Sequence, residues 1–282
     1  MLQLQLETWV LLLKIELALY FVATTISVLV VPKIIKWKWL TMYSGHGDSK
    51  ENSAPRVFSK LQVPKHWFWH FYAYGCILIV CYVSFVLSTS WQDPVLQAAQ
   101  TELLNSKKAQ VSLTLFGIHM LRRLYESLRF RNTGSKMQIT HYLLGYFFYS
   151  HTFLAILVAC LGDYEQHAGW KQGIGLGLYV FGSVWQNASH EHLIAQKHQR
   201  SYLPLQKSGF RWIAGAHYFG EVILYTGFLC IINHWIIWLV YGWILVSMTN
   251  VATSYSQTST QAFQKVKTTK SGPKWILFPF LY

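Results

Sequence analysis

Residues 67–87 read WFWHFYAYGCILIVCYVSFVL, a run that contains no Asp, Glu, Lys or Arg. A membrane-spanning helix needs about 20 mostly apolar residues, and six other runs in the chain have a similar length. Those at 109–128 and 170–195 also contain several polar residues, so hydropathy alone identifies them least clearly. The sequence therefore predicts an all-α, multi-pass membrane protein with about seven transmembrane helices, at 9–31, 67–87, 109–128, 141–161, 170–195, 213–233 and 234–255.

The composition of the 282-residue chain agrees with this prediction. Hydrophobic residues make up 52% of the chain and charged residues only 12%, about half the charged share of a typical soluble domain. The formal net charge of +13 could suggest nucleic-acid binding. However, the basic residues concentrate in the loops after the first, third and fifth spans and in the C-terminal tail, as the positive-inside rule expects. We therefore expect a lumenal N-terminus, a cytosolic C-terminus, anionic membrane lipids as neighbours and no nucleic-acid partner.

Motifs for metals and soluble nucleotide folds are missing from the sequence. The four cysteines lie in apolar runs and are interpreted as small buried hydrophobic residues. There is neither an H-E-x-x-H zinc motif nor a G-x-G-x-x-G fingerprint, and we expect no bound metal. Gly173, Gly175 and Gly177 open a predicted span, where they favour close packing of two helices.

A change of character divides the predicted single transmembrane domain, 1–282, into two halves. The spans within 1–108 are plainly apolar, and we expect substrate to enter through this half. The spans within 109–282 contain His, Arg, Glu and Asn. Ionisable groups at membrane depth are costly and usually face a cavity or a partner, so the chemistry is predicted to lie in this second half.

The polar residues of the second half recur at helical spacing. Side chains three or four residues apart share one side of a helix, so four polar stripes that face one another would form one chamber for a cofactor or substrate. The predicted stripes are His119, Arg122, Arg123 and Glu126 in the third span, Asn187, His190 and Glu191 in the fifth, His217, Tyr218 and Glu221 in the sixth, and Asn250 and Ser254 in the seventh.

Each of these residues also has a simpler explanation. A single His or Asn in a span often only packs or hydrogen-bonds with a neighbouring helix. Arg122 and Arg123 could clamp a phosphate, because a guanidinium binds phosphate through two donors. Alternatively, both could pair internally with Glu126. The residues alone leave these alternatives open.

Five segments resemble the steroid 5α-reductase family, and most closely its polyprenol (polyprenal) reductase branch. Residues 118–128, IHMLRRLYESL, resemble the H-x-x-R-R-x-Y-E-S segment, and residues 63–72, VPKHWFWHFY, resemble the V-P-K-x-x-F-x-H-F-Y signature of the branch. Residues 186–193, QNASHEHL, 216–221, AHYFGE, and 278–282, FPFLY, resemble three further family segments. The similarity covers roughly 60–282.

The resemblance implies a seven-helix enzyme of the endoplasmic reticulum membrane that uses NADPH to reduce an α,β-unsaturated lipid. For this branch the implied substrate is the α-isoprene unit of a long-chain polyprenal, on the path to dolichol and protein N-glycosylation. The residues expected to line the NADPH chamber are Arg122, Arg123, Asn187, His190, Glu191, His217, Tyr218, Glu221 and Asn250.

The C-terminal part departs from the pattern of the branch. The stretch that usually reads S-H-Q-[FW]-Y is here 259–263, STQAF, with Thr260 in place of the His and Phe263 in place of the Tyr. The stretch 271–275, SGPKW, replaces the basic P-K-x-R-K run before the terminal motif. The family pattern implies cofactor contact or an ordered tail at these positions.

The chemistry of the implied reaction favours an aldehyde substrate over an allylic alcohol. When hydride adds to the double bond of an enal, the developing charge flows onto the carbonyl oxygen, and the protein must stabilise it there with a donor. We nominate Tyr72 as this catalytic donor, with His70 beside it; the alternative is that both belong to an interfacial aromatic cluster. Other functions that the sequence permits are a steroid or enoyl-lipid reductase of the same family, a membrane isoprenoid methyltransferase, and a non-catalytic lipid-binding relative.

Overall fold

The computed structural model describes residues 2–34, 61–130, 136–161, 169–198, 207–266 and 275–279, together with Gly134 and Pro273. Side chains are described except at 2, 31–34 and 258–266, so those of Thr260 and Phe263 lie outside the described part. The helices of this part are α1 (Leu2–Ile34), α2 (Trp69–Leu87), α3 (Pro94–Asn105), α4 (Lys107–Arg129), α5 (Ile139–Cys160), α6 (Trp170–His198), α7 (Ala216–Ile232) and α8 (Trp235–Val266).

The all-α prediction is confirmed, and each of the seven predicted runs falls on one helix. Four of the described helices contain a stretch that is long and apolar enough to cross a membrane, in α1, α2, α5 and α8. Helix α7 is apolar but shorter. The polar stripes explain why α4 and α6 are not in this group. Most basic loop residues behind the predicted topology lie outside the described part, so the number and direction of the spans stay a prediction.

Helix α3 is an element that the apolar pattern did not predict. Asp93 caps its first turn by accepting hydrogen bonds from the backbone amides of Val95 (2.9 Å) and Leu96 (3.0 Å), and Pro94 fits the first helical position. On the inner side, Gln100 Nε2 lies 2.7–3.1 Å from the carbonyl oxygens of residues 85, 86 and 88. The Gln100 amide thus contacts the carbonyl groups of residues 86 and 88 at the end of α2, and it shares the carbonyl of Phe85 with the indole nitrogen of Trp91.

Helices α6 and α7 approach each other backbone to backbone. A Cβ atom added to Gly182 would lie 2.5 Å from the amide nitrogen of Leu224 and 2.7 Å from the carbonyl oxygen of Gly220. A Cβ at Gly175 would lie 2.8 Å from the carbonyl oxygen of Gly227. The prediction of close packing is confirmed for Gly175. It is wrong for Gly173 and Gly177, which face open space because they lie on other sides of the helix.

Two short backbone pairings hold the loop ends of the bundle together. Strand β1 (Gln62–Pro64) pairs antiparallel with β2 (Lys136–Gln138), which joins the start of α2 to the start of α5. Near the start of α7, Ile213 forms a parallel bridge with Trp275, and the amides of Ala214 and Gly215 donate to the carbonyl groups of Trp275 and Ile276 at 2.9 Å. The C-terminal segment thus fixes the turn from which α7 begins.

The outward faces of the helices are apolar. Leu19, Leu87, Val184 and Trp238 are among many large hydrophobic side chains that are exposed, more than a water-soluble surface usually carries. Lipid would cover such a surface. Cys81 is also exposed, so the prediction that all four cysteines are buried is wrong at this position.

Candidate active site

Helix α4 carries a buried ion cluster on one face. Glu126 is fully buried, and its two oxygen atoms each accept a hydrogen bond at 2.6 Å, Oε1 from Arg122 and Oε2 from Arg123. The helical spacing of three and four residues brings these side chains together, as the sequence predicts. Of the two alternatives for the arginines, the structure therefore contains the internal pairing with Glu126.

The cluster extends from Arg123 to helices α2 and α6. Arg123 donates to the hydroxyl oxygen of Tyr72 at 2.7 Å, and its guanidinium carbon lies 4.8 Å from the centre of that ring. His190 Nδ1 lies 2.7 Å from both Glu126 Oε2 and an Arg123 nitrogen. Because a guanidinium can only donate, the Tyr72 oxygen is the acceptor and its own O–H remains able to donate to a ligand.

The cluster extends from Arg122 to helices α6 and α7 through Gln186. The side-chain oxygen of Gln186 accepts from Arg122 at 2.5 Å, and its nitrogen donates to Glu221 at 2.6 Å. Gln186 is completely buried, and it was missing from the predicted site residues although it begins the QNASHEHL segment, one turn before His190. The resulting chain of hydrogen bonds runs without a break from Glu221 to Tyr72 across four helices; we call it the polar network.

The charges of the polar network balance within it. The guanidinium groups of Arg122 and Arg123 are matched by the carboxylates of Glu126 and Glu221. A buried pair of this kind is stable only while each charge keeps its partner. The network can therefore fix polar groups in space, but it offers no surplus positive charge to a phosphate.

Several buried polar atoms at the polar network have no hydrogen-bond partner among the described residues. They are His119 Nε2, Arg122 Nε, Arg123 Nε, His217 Nδ1 and Tyr225 Oη. Buried polar groups in native proteins are nearly always hydrogen-bonded. A group of orphaned donors and acceptors in one place is what a site for a polar ligand would provide.

His217 and Tyr218 lie beside the polar network, at the start of α7. The His217 ring centre is 3.8 Å from that of Tyr218, 5.6 Å from His190 and 5.7 Å from Tyr255. The backbone carbonyl of Ala216 accepts from the indole nitrogen of Trp185 at 2.9 Å. This side of the polar network borders a small second core of Phe210, Ile213 and Ala216, which the 208–215 turn and the C-terminal segment hold in place.

His70 belongs to a different set of contacts from Tyr72. Its Nδ1 lies 2.7 Å from the hydroxyl of Tyr142 on α5, which in turn lies 3.0 Å from the hydroxyl of Tyr146. The His70 ring also packs edge-on against Trp69. The structure therefore places Tyr72 in the polar network and His70 in an aromatic ladder between α2 and α5.

Three more of the predicted residues lie outside the polar network. Glu191 is partly exposed and pairs with Arg129 at the end of α4. Asn187 is half-buried on α6, next to Gln186. Asn250 is exposed on α8, where its carbonyl accepts from Ser254 at 3.1 Å. The polar network thus joins the stripes of α4, α6 and α7 to α2, and the α8 stripe is not part of it.

Comparison with known proteins identifies the family. The family model described as 3-oxo-5-alpha-steroid 4-dehydrogenase matches residues 133–282. The chain belongs to the steroid 5α-reductase family. Members of this family are NADPH-dependent oxidoreductases that reduce carbon–carbon double bonds of lipids.

Three relatives illustrate the range of similarity to this chain. An uncharacterized protein of Schizosaccharomyces pombe is 47% identical over 277 residues, 98% of this chain and 99% of the relative. The polyprenal reductase of Saccharomyces cerevisiae is 26% identical over 209 residues, 73% of this chain and 72% of the relative. Polyprenal reductase 1 of Arabidopsis thaliana is 22% identical over 289 residues, 85% of this chain and 87% of the relative.

The family match and the polar network overlap only in part. Gln186, His190 and Glu221 lie within the matched residues 133–282, whereas Tyr72 and the α4 cluster precede them. Among the described residues, no three His, Cys, Asp or Glu side chains are grouped so that they could hold a metal ion.

Proposed function

We propose that this protein reduces the α-isoprene double bond of polyprenal with NADPH in the endoplasmic reticulum membrane, and so supplies dolichol for protein N-glycosylation. The observation that carries the proposal is the polar network, which holds the Tyr72 hydroxyl against Arg123 inside an otherwise apolar bundle. Family membership supports NADPH-dependent reduction, and the relatives named polyprenal reductase support the substrate.

The substrate chemistry explains why a tyrosine hydroxyl would be placed there. Bound NADPH would supply a hydride to the β carbon of the enal, and water would supply the proton that the α carbon takes up. The negative charge that develops on the aldehyde oxygen needs a donor in a water-poor site. Arg123 donates to the oxygen of Tyr72, so the tyrosine O–H points away from the guanidinium, and we propose that the aldehyde oxygen binds on that side. Arg123 also stabilises any charge that the phenol acquires.

His70 has a supporting role in this proposal. Its hydrogen bond to Tyr142 joins α2 to α5 two residues before Tyr72, and so helps to position the turn that carries Tyr72. The aromatic ladder beyond it, continued by Tyr146, is partly exposed. Its first member, His70, belongs to the half of the chain, 1–108, through which we propose that the isoprenoid enters, and Tyr142 and Tyr146 lie on α5.

The residues of the second half, 109–282, would hold the cofactor. The orphaned nitrogen atoms of His119 and His217 fit hydrogen-bonding groups of a nicotinamide and its ribose, and His190 and Tyr218 complete the same wall. Arg122 and Arg123 are already paired with Glu126, so a phosphate would have to compete with this carboxylate for them. The diphosphate would then lie beyond the neutral network, towards Asn187, Glu191 and the basic ends of α4 and α6, which the proposed topology puts in the cytosol.

A membrane assay tests the proposal. Membranes from cells that express the protein are incubated with NADPH and a short-chain polyprenal. The lipids are then separated, and the substrate and the saturated product are quantified by mass spectrometry. We expect the saturated aldehyde with wild type and a loss of about 100-fold or more with Tyr72→Phe, the magnitude typical of removing one oxyanion donor. The matched control is Tyr74→Phe, which removes a hydroxyl two residues further along α2 that is hydrogen-bonded to Ser150 instead of Arg123.

Other outcomes would assign a different activity. No reduction by correctly inserted protein would refute the proposed function. Methyl transfer from S-adenosylmethionine would point to a methyltransferase, and reduction of a steroid but not of polyprenal would point to another activity of the family. If the protein binds polyprenal but does not convert it, the chain is a non-catalytic lipid-binding relative.

A further inference from the structure

The protonation of His119 follows from its contact with Arg122. His119 on α4 is fully buried, and its Nδ1 lies 3.2 Å from a terminal nitrogen of Arg122. A guanidinium has no acceptor atom, so Nδ1 must contribute the lone pair. The ring is then neutral, and its single N–H is on Nε2.

That N–H has no acceptor among the described residues. The Nε2 atom of His119 is buried and unpaired, and so is the hydroxyl of Tyr225, whose ring lies edge-on at 6.0 Å between centres. An unpaired donor in an apolar interior destabilises a protein by about 1–3 kcal/mol. Two such donors on neighbouring rings of α4 and α7 indicate that a ligand supplies the missing acceptor.

We propose that the Nε2–H of His119 donates a hydrogen bond to a carbonyl oxygen of the bound ligand. The ligand atom should be neutral, because the two arginines beside His119 are already balanced by Glu126 and Glu221. The inference rests on the proposed function, which offers two such oxygens. One is the aldehyde oxygen of the enal, and the other is the carboxamide oxygen of the nicotinamide. His119 keeps its proton and acts as a donor only.

Two amide substitutions separate this role from a structural one. In His119→Asn, the side-chain oxygen can take the place of Nδ1 and accept from Arg122, but no atom reaches the position of Nε2. In His119→Gln, the longer side chain can put its amide nitrogen near the position of Nε2. If His119 donates to a ligand, Gln should therefore preserve function better than Asn. If His119 only holds Arg122, Asn should be the better replacement.

The experiment uses the full-length protein in lipid nanodiscs and three measurements. They are the Kd for NADPH from the change in its fluorescence, the kcat and KM for a short-chain polyprenal, and the melting temperature. If the oxygen is that of the enal, His119→Asn should lower kcat by about 100-fold with an unchanged Kd for NADPH. If it is the carboxamide oxygen, His119→Asn should raise the Kd by about tenfold. In that case the thioamide analogue of NADPH should also bind wild type less tightly, but the Asn variant equally well.

In either case, His119→Gln should recover most of the loss. The inference would be overturned if Asn kept both kcat and Kd, or if Gln were as impaired as Asn in a protein of wild-type melting temperature. These results differ from a failure of the proposed function, in which wild type itself would neither reduce polyprenal nor bind NADPH.

Discussion

Substitution of Gly182 by Ala should break the polar network at the hydrogen bond between Gln186 and Glu221, although Gly182 is not itself part of the network. The added Cβ would lie 2.5 Å from the backbone nitrogen of Leu224 and 2.7 Å from the backbone oxygen of Gly220. Neither contact can be relieved by a change of rotamer, because both partners are main-chain atoms. Ordinary contact begins at 3.4 Å, so α6 and α7 must separate by about 0.9 Å at this point.

The separation reaches the network because Gln186 lies one turn after Gly182 on α6. Its hydrogen bond to Glu221 is 2.6 Å long, and a movement of about 0.9 Å would lengthen it beyond the usual limit of about 3.2 Å. We expect Gly182→Ala to destabilise the protein by about 1–3 kcal/mol, as overpacking commonly does. Reduction of polyprenal should fall by more than about tenfold, since roughly 1.4 kcal/mol of lost transition-state stabilisation is a factor of ten.

Gly177→Ala is the matched control, since it is on the same helix and its Cβ would have no neighbour within 4 Å. It should be neutral or slightly stabilising, because Ala favours a helix over Gly by up to about 1 kcal/mol. Melting temperatures in detergent and turnover in nanodiscs are measured for both variants. If Gly182→Ala melts and turns over like Gly177→Ala, the close contact of α6 and α7 does not position the network.

Two single substitutions and one pair of substitutions test other parts of the structure. Glu126→Leu should destabilise the protein by about 3–5 kcal/mol, because it leaves two buried guanidinium groups without their carboxylate; a melting temperature close to wild type would contradict the buried pairing. Gln100→Leu should destabilise the protein by about 1–3 kcal/mol by leaving the carbonyl groups of residues 86 and 88 unpaired, and amide hydrogen exchange should rise at 85–88; unchanged protection there would be the contrary result. His70→Phe and Tyr142→Phe should be non-additive in a double-mutant cycle, with a coupling of about 0.5–3 kcal/mol, and each should lower turnover less than Tyr72→Phe; additive effects would show that the two side chains act separately.

Much of the fold could be predicted because apolar runs of spanning length are a strong signal. The run at 67–87 and the others each fall on one helix, since a helix pairs all of its backbone groups internally and can therefore present apolar side chains to lipid. Helix α3 could not be found this way, because it is short, lies outside the spans and depends on a cap at Asp93 and on Gln100. The glycines of α6 show the same limit: the sequence indicates close packing, but only the direction of α7 decides that Gly175 and Gly182, and not Gly177, face it.

The candidate site could be predicted as a set of helix faces but not as a network. Helical spacing was sufficient to group Arg122, Arg123 and Glu126, because all three lie on one helix. It could not choose between a phosphate clamp and an internal ion pair, since this depends on distances between charges. Gln186 was missed because a glutamine is uncharged and common in helices, and its importance comes only from the two partners that other helices bring to it.

The most direct test of the central claim follows a deuterium atom from the cofactor to the lipid. Purified protein in nanodiscs is given NADPH that carries deuterium on the transferred position of the nicotinamide, together with a short-chain polyprenal, and the products are examined by mass spectrometry and NMR. The proposed function predicts a saturated aldehyde with one deuterium on the β carbon, formed by wild type and by Tyr74→Phe but about 100-fold more slowly by Tyr72→Phe. Deuterium on the aldehyde carbon, or no labelled lipid from well-folded wild-type protein, would contradict the account.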